Sequence, residues 1–174
     1  MGTDVVLVAL NARYAHAALG LKYLYANLPD SLRPRAEILE FTLTQNPRDI
    51  AEQILARKPK IVGIGVYIWN TQLAAQLVSL LKRTSPQTVV VLGGPEVSYE
   101  TEKQELCRQA DAVIVGEADL LFAEFCTQIL DGNPLPLERV IKGPLPNIES
   151  LRSPYPHYTD EDIRNRIIYV EVSR

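Results

Sequence analysis

Ile61-Val-Gly-Ile-Gly-Val66 and Thr88-Val-Val-Val-Leu-Gly-Gly-Pro95 are the stretches on which the fold turns. Each is a short run of β-branched residues without polar alternation, the pattern of a strand covered on both faces. Each carries glycine where a strand would normally gain from a side chain, so something else has to approach the backbone there. Working outward, Val5–Leu10, Glu37–Phe41 and Ala112–Val115 repeat the pattern, giving five strand candidates. Between them lie amphipathic stretches. Ala17, Leu21, Leu24 and Leu28 share one helical face, as do Leu73, Leu77, Leu80 and Leu81, and then Leu121, Phe125 and Ile129. Asn46-Pro47 supplies an N-cap and a first-turn proline to a second helix, and Pro29, Pro59 and Pro86 follow the first three helices. Tyr99–Gln109 is a polar, weakly patterned fourth helix.

Five βα units with short connections predict an α/β fold. With right-handed crossovers it is a flavodoxin-like, Rossmann-like three-layer sandwich with a five-stranded parallel sheet in the order 2-1-3-4-5. Such sheets bind ligands beyond the carboxyl ends of their strands. The loops Asn11–His16, Tyr67–Thr71, Gly93–Tyr99 and Gly116–Asp119 are therefore the candidate site. Residues 1–132 make this domain. Six of the twelve prolines fall between Pro134 and Pro156, so residues 133–174 read as a Pro-rich C-terminal extension, an extended linker, with a short added strand at Arg139–Lys142. Ile167-Ile-Tyr-Val-Glu-Val172 has the composition of a further strand and suggests a chain cut at the start of another domain.

Composition excludes several classes. The 174 residues are 47% apolar and 22% charged, an ordinary globular balance. Eighteen basic against 21 acidic residues leave a net charge of −3, which argues against nucleic acid as the partner. The longest apolar run, Ile61–Trp69, is far short of the ~20 residues of a membrane span. Met1-Gly-Thr-Asp4 shows no leader pattern, and Val6 defeats a myristoylation signal, so a cytoplasmic chain with no membrane partner is expected. Cys107 and Cys126 match no zinc or iron–sulfur spacing and read as small buried hydrophobes, which predicts no metal-ligating residue.

The loops also exclude two users of this topology. Phosphoryl receivers need acidic residues where Asn11-Ala12 and Tyr67-Ile68 stand, and a flavodoxin needs a Ser/Thr/Gly-rich loop in place of Asn11-Ala-Arg-Tyr-Ala-His16. A corrinoid domain needs a slot between strands 1, 3 and 4, for which small residues on strand 3 and Gly93-Gly94 make room. Gly93-Gly94 equally suits a tight turn, and on the ligand reading Gly94→Val harms binding more than stability.

Taken together, Asn11-Ala-Arg-Tyr-Ala-His16, Val66-Tyr-Ile-Trp-Asn70, Leu92-Gly-Gly-Pro-Glu-Val-Ser98 and Val115-Gly-Glu117 resemble the loops of the N-terminal cobalamin (B12)-binding domain of B12-dependent radical SAM proteins. Arg164–Arg174 resembles the stretch just before the three-cysteine motif of the radical SAM barrel. The resemblance implies a cobalamin-binding module truncated before that barrel, with a methyltransferase or related radical enzyme as parent. S-adenosylmethionine and a 4Fe-4S cluster would be held outside this chain, and the barrel would be its partner. It implies no catalytic residue here and a cofactor site made by Asn11, Arg13, Tyr14, His16, Gly65, Tyr67, Trp69, Asn70, Gly93, Gly94, Pro95, Glu96, Gly116 and Glu117. The general Asp-x-His-x-x-Gly cobalt-ligand motif is broken: no Asp precedes His16 by two positions, and the glycine arrives late, at Gly20. Gly65 stands where the family places a slot-lining serine. The alternative is a cofactor-free docking or substrate-presenting domain of a radical SAM protein.

Overall fold

The computed structural model describes residues 2–13 and 16–171. A parallel sheet carries the order β2-β1-β3-β4-β5-β6. Its strands are β1 (Val5–Asn11), β2 (Ala36–Thr42), β3 (Ile61–Gly65), β4 (Val89–Gly93), β5 (Ala112–Val115) and β6 (Val140–Lys142). The order of the first five is the expected one. The sheet has six strands rather than five, because Val140–Lys142 pairs in parallel with β5.

Helices α1 (Leu19–Asn27) and α5 (Asp119–Leu130) cover one face. The other face is covered by α2 (Pro47–Leu55), α3 (Thr71–Thr84) and α4 (Glu105–Gln109). The alternation of a strand sorts the side chains between the two cores. Val5, Leu7 and Ala9 pack toward α1 and α5, and Val6, Val8 and Leu10 toward α2 and α3. Asn46 caps α2 as its sequence suggests, its Oδ1 accepting from the Arg48 amide at 2.9 Å.

Three expectations need correcting. β2 is an edge strand, and of its residues only Phe41 is buried; its Glu37 and Glu40 carboxylates are accommodated by arginine partners, Arg57 and Arg166. Tyr99–Gln109 is not one helix. It breaks into a 3-10 turn at Thr101–Lys103 and the five-residue α4, after another 3-10 turn at Glu96–Ser98, since Glu100 sits at a φ of 47° that no helix accommodates. Ile167–Val172 forms no strand among its described residues: Ile167 makes one parallel bridge, to His16, and Val172 lies outside them. A β-branched run needs a free sheet edge to become a strand, and this one meets a loop.

The segment before it is also more ordered than an extended linker. It contains α6 (Asp160–Asn165), opened by a capping box in which Thr159 Oγ1 accepts from the Asp162 amide and Asp162 Oδ2 accepts from the Thr159 amide. Cys107 and Cys126 are both free and buried, and burial pushes both thiols up. No helix among the described residues is long and apolar enough to cross a membrane.

Candidate functional site: a glycine-lined slot

Gly63, Gly65 and Gly93 fall at alternate positions on β3 and β4, and the register sets Gly65 directly beside Gly93. Period-2 alternation therefore turns all three toward α1 and α5. Where neighbouring residues would fill the space under those helices, hydrogen atoms stand instead. The result is a slot of about 220 Å³, walled by Leu21 and Leu24 of α1, Ile114 of β5, and Ala118 and Phe122 at the start of α5. Its floor is tight, since a Cβ on Gly63 would come within 3.1 Å of Leu7 and Phe122. Its upper part is open: a Cβ on Gly65 or Gly93 would meet nothing closer than 3.6 Å.

The slot is too small for a whole drug-sized ligand, whose pockets run from about 300 to 1,000 Å³. It suits one arm of something larger. Next to it, sharing Gly20, Leu21, Gly65 and Tyr67, lies a cleft of about 680 Å³ over the carboxyl ends of β1 and β3. Asn11, Arg13, His16, Trp69 and Asn70 line that cleft, together with Tyr169, Val170 and Glu171 from the C-terminal segment. Tyr67 and Trp69 stack with ring centroids 4.6 Å apart and planes 7° from parallel. Trp69 is half exposed, and Ile68 beside it is 77% exposed. Burial raises the Tyr67 phenol above its usual pKa, which keeps the hydroxyl neutral and able to donate.

The expected site residues sort into four groups. Gly65, Tyr67, Gly93, Gly94, Gly116 and Glu117 line the slot, and Asn11, Arg13, His16, Trp69 and Asn70 line the larger cleft. Pro95 and Glu96 line neither and instead open a 3-10 turn, and Tyr14 lies outside the described residues. Two members have structural duties. Asn70 is 1% exposed; its Oδ1 accepts from the Tyr67 amide while its Nδ2 donates to the Leu10 and Gly65 carbonyls, so it ties β1 to β3. Gly94 has φ +110°, and a Cβ there would lie 2.5 Å from the Val66 carbonyl oxygen. The space that a Gly94 side chain would take is filled by backbone. This corrects the expectation that Gly94→Val would harm binding more than stability.

Sequence reading missed Leu21, Leu24, Ala118 and Phe122 as slot walls. The signal was available: α1 and α5 start immediately after site loops, so the sheet-facing residues at and within two turns of their starts must border it. Glu40 was missed as well. Its Oε2 accepts from Asn11 Nδ2 at 2.8 Å and from the Ala18 amide at 3.3 Å, bridging the two ends of the first loop.

A model of the B12 binding domain matches residues 5–126. The chain belongs to the B12-binding domain family. Two solved structures with TM-scores above 0.5 share the fold. The methanol:cobalamin methyltransferase complex MtaBC from Methanosarcina barkeri is 13% identical, with a TM-score of 0.54 over 76% of this chain and 48% of that one. The RcsB response regulator of Salmonella typhimurium is 7% identical, with a TM-score of 0.51 over 80% of this chain and 65% of that one. A cobalamin-binding protein from Desulfitobacterium hafniense DCB-2 is 18% identical, with a TM-score of 0.49 over 72% of this chain and 58% of that one. The chain spans about half the length of the first of these. No curated protein matches the sequence.

The slot lies over β3, β4 and β5 rather than between strands 1, 3 and 4 as expected, and it leaves room for one arm of a corrinoid. Its open upper part exists because Gly65 and Gly93 lack side chains, and it adjoins a cleft broad enough for a flat macrocycle.

Proposed function

We propose that this B12-binding domain holds cobalamin with the nucleotide arm in the glycine-lined slot and the corrin against the loops after β1 and β3. The observation that carries the reading is the pairing of Gly65 with Gly93 beneath α1 and α5, which leaves an open slot beside a larger cleft. When bound, cobalamin supplies a cobalt that carries a methyl group.

The chain's own residues bind and shelter the cofactor. Gly65 and Gly93 admit the arm, and Leu21, Leu24 and Phe122 exclude water from it. The neutral Tyr67 hydroxyl and Glu117 at the slot offer polar contacts to an amide-rich ligand. Tyr67 and Trp69 present a flat aromatic pair beside the cleft. Residues 1–132 carry the slot, and residues 133–174 add β6 and the rim of the cleft and lead toward a radical SAM domain that would hold the 4Fe-4S cluster and S-adenosylmethionine. Methyl transfer and the radical SAM partner rest on the resemblance of the four loops and of Arg164–Arg174.

The test is titration of the purified chain with hydroxocobalamin, followed by visible absorption and by retention through a desalting column. A saturable spectral change with one equivalent retained is expected. Unchanged spectra with complete loss on the column would favour a cofactor-free docking domain.

A further inference from the structure

The C-terminal segment grips the first ligand loop at three points. The Arg166 guanidinium donates to Glu40 Oε1 at 2.7 Å, and the same carboxylate, through Oε2, accepts from Asn11 and Ala18 at the two ends of that loop. One residue on, Ile167 makes a parallel bridge with His16 inside the loop. Two further on, the Tyr169 ring stacks on the His16 imidazole with centroids 5.1 Å apart.

The ion pair is sheltered, with the Arg166 side chain 3% exposed and that of Glu40 12%. Buried charges persist only when paired, so the carboxylate that bridges the loop depends on its cation. Arg166 is held in turn by Asp162 at 3.0 Å, and Asp162 by Lys22 of α1 at 2.9 Å. The four charges cancel. Glu40 is anchored to β2 and Lys22 to α1, so the network is fastened to rigid elements at both ends.

We propose that Arg166 is a positioning residue for the cofactor loop: through Glu40 it fixes Asn11 and Ala18, and so presets the loop for the corrin. It does this from forty residues beyond the stretch that matches the B12 binding domain. The inference deepens the cobalamin reading and rests on it. A loop held in its binding conformation before the ligand arrives does not have to be ordered at the ligand's expense. The effect therefore appears as affinity, without Arg166 touching the cofactor.

The experiment uses the full chain, with Arg166→Met, Arg166→Lys, Glu40→Gln and the double variant Arg166→Met/Glu40→Gln. Amide hydrogen exchange is read on ligand-free protein, and hydroxocobalamin affinity by absorption. In Arg166→Met, exchange at Ala18 should quicken about tenfold or more while the amides of β3 and β4 hold their wild-type rates. Hydroxocobalamin should bind about tenfold more weakly, and the double variant should lose less than the product of the two single losses. Arg166→Lys keeps the charge and should fall between wild type and Arg166→Met; it carries the test if Arg166→Met does not fold. Loop exchange at the wild-type rate in the folded variants overturns the proposal, as does weaker binding with an unchanged loop. If the wild-type chain binds no hydroxocobalamin, the cobalamin reading falls, and loop exchange still decides whether Arg166 sets the loop.

Discussion

Gly65 and Gly94 lie at neighbouring strand ends, yet a side chain added to each meets a different obstacle. At Gly94 it meets the Val66 backbone, from a φ that L residues avoid at a cost of about 1–2 kcal/mol. Gly94→Val should therefore destabilise the fold by on the order of 3 kcal/mol or more, read by chemical denaturation. At Gly65 the added atoms enter the slot with no contact under 3.6 Å. Gly65→Ser should leave the melting transition nearly unchanged and tighten hydroxocobalamin binding about fivefold, the value of one new hydrogen bond of about 1 kcal/mol. His16 bears on the cobalt. Its ring stacks on Tyr169, its Nδ1 is buried with no hydrogen-bond partner among the described residues, and residue 14 is not the Asp that would orient a ligating imidazole. Electron paramagnetic resonance of bound cob(II)alamin should show no nitrogen superhyperfine triplet, in wild type or in His16→Ala. A triplet that His16→Ala abolishes would show ligation by that residue.

Among the elements, α6 is fastened by charge through Asp162, and the segment after it by hydrogen bonds between the Tyr155 and Tyr158 hydroxyls and the Glu171 and Tyr169 backbone. Burial opposes ionisation of Asp162, but hydrogen bonds from Lys22, the Thr159 amide and Arg166 outweigh it and hold the carboxyl at about 2. Because that folded value lies below the ordinary 3.8, the carboxylate stabilises the protein above about pH 4, and the contribution fades as pH falls toward 2. At 1.4 kcal/mol per pH unit it is worth on the order of 2 kcal/mol at neutral pH. Denaturation between pH 5 and pH 2 should show stability falling with acid, and Asp162→Asn should flatten that fall while being less stable at pH 7. An equal acid slope in Asp162→Asn would place the titration elsewhere. The helix was legible in Thr159-Asp-Glu-Asp162, a capping-box pattern, but the prolines around it read as linker. The sheet order was legible because β1, β3, β4 and β5 are buried on both faces and spell it in Val, Ile and Leu. What Ile167–Glu171 would meet was not, since a strand-like composition says nothing about whether a sheet edge is free. Glu40 was hidden for the same reason, its role depending on an arginine 126 residues away.

For the whole molecule, slot and cleft form one site only if the ligand has a part for each. The slot was half visible in the sequence: Gly63, Gly65 and Gly93 announced missing side chains, while the helical walls and the C-terminal rim of the cleft emerged only when the chain was folded. On the proposed reading the slot receives the nucleotide arm of cobalamin. That reading is tested most directly by comparing hydroxocobalamin with cobinamide, the corrinoid that lacks the arm, in wild type and in a variant with the slot filled by Gly65→Phe. Wild type should prefer hydroxocobalamin by about a hundredfold or more, the loss of on the order of 3 kcal/mol of buried arm, and the filled slot should erase the preference. Equal affinity of the wild-type chain for the two corrinoids would contradict it.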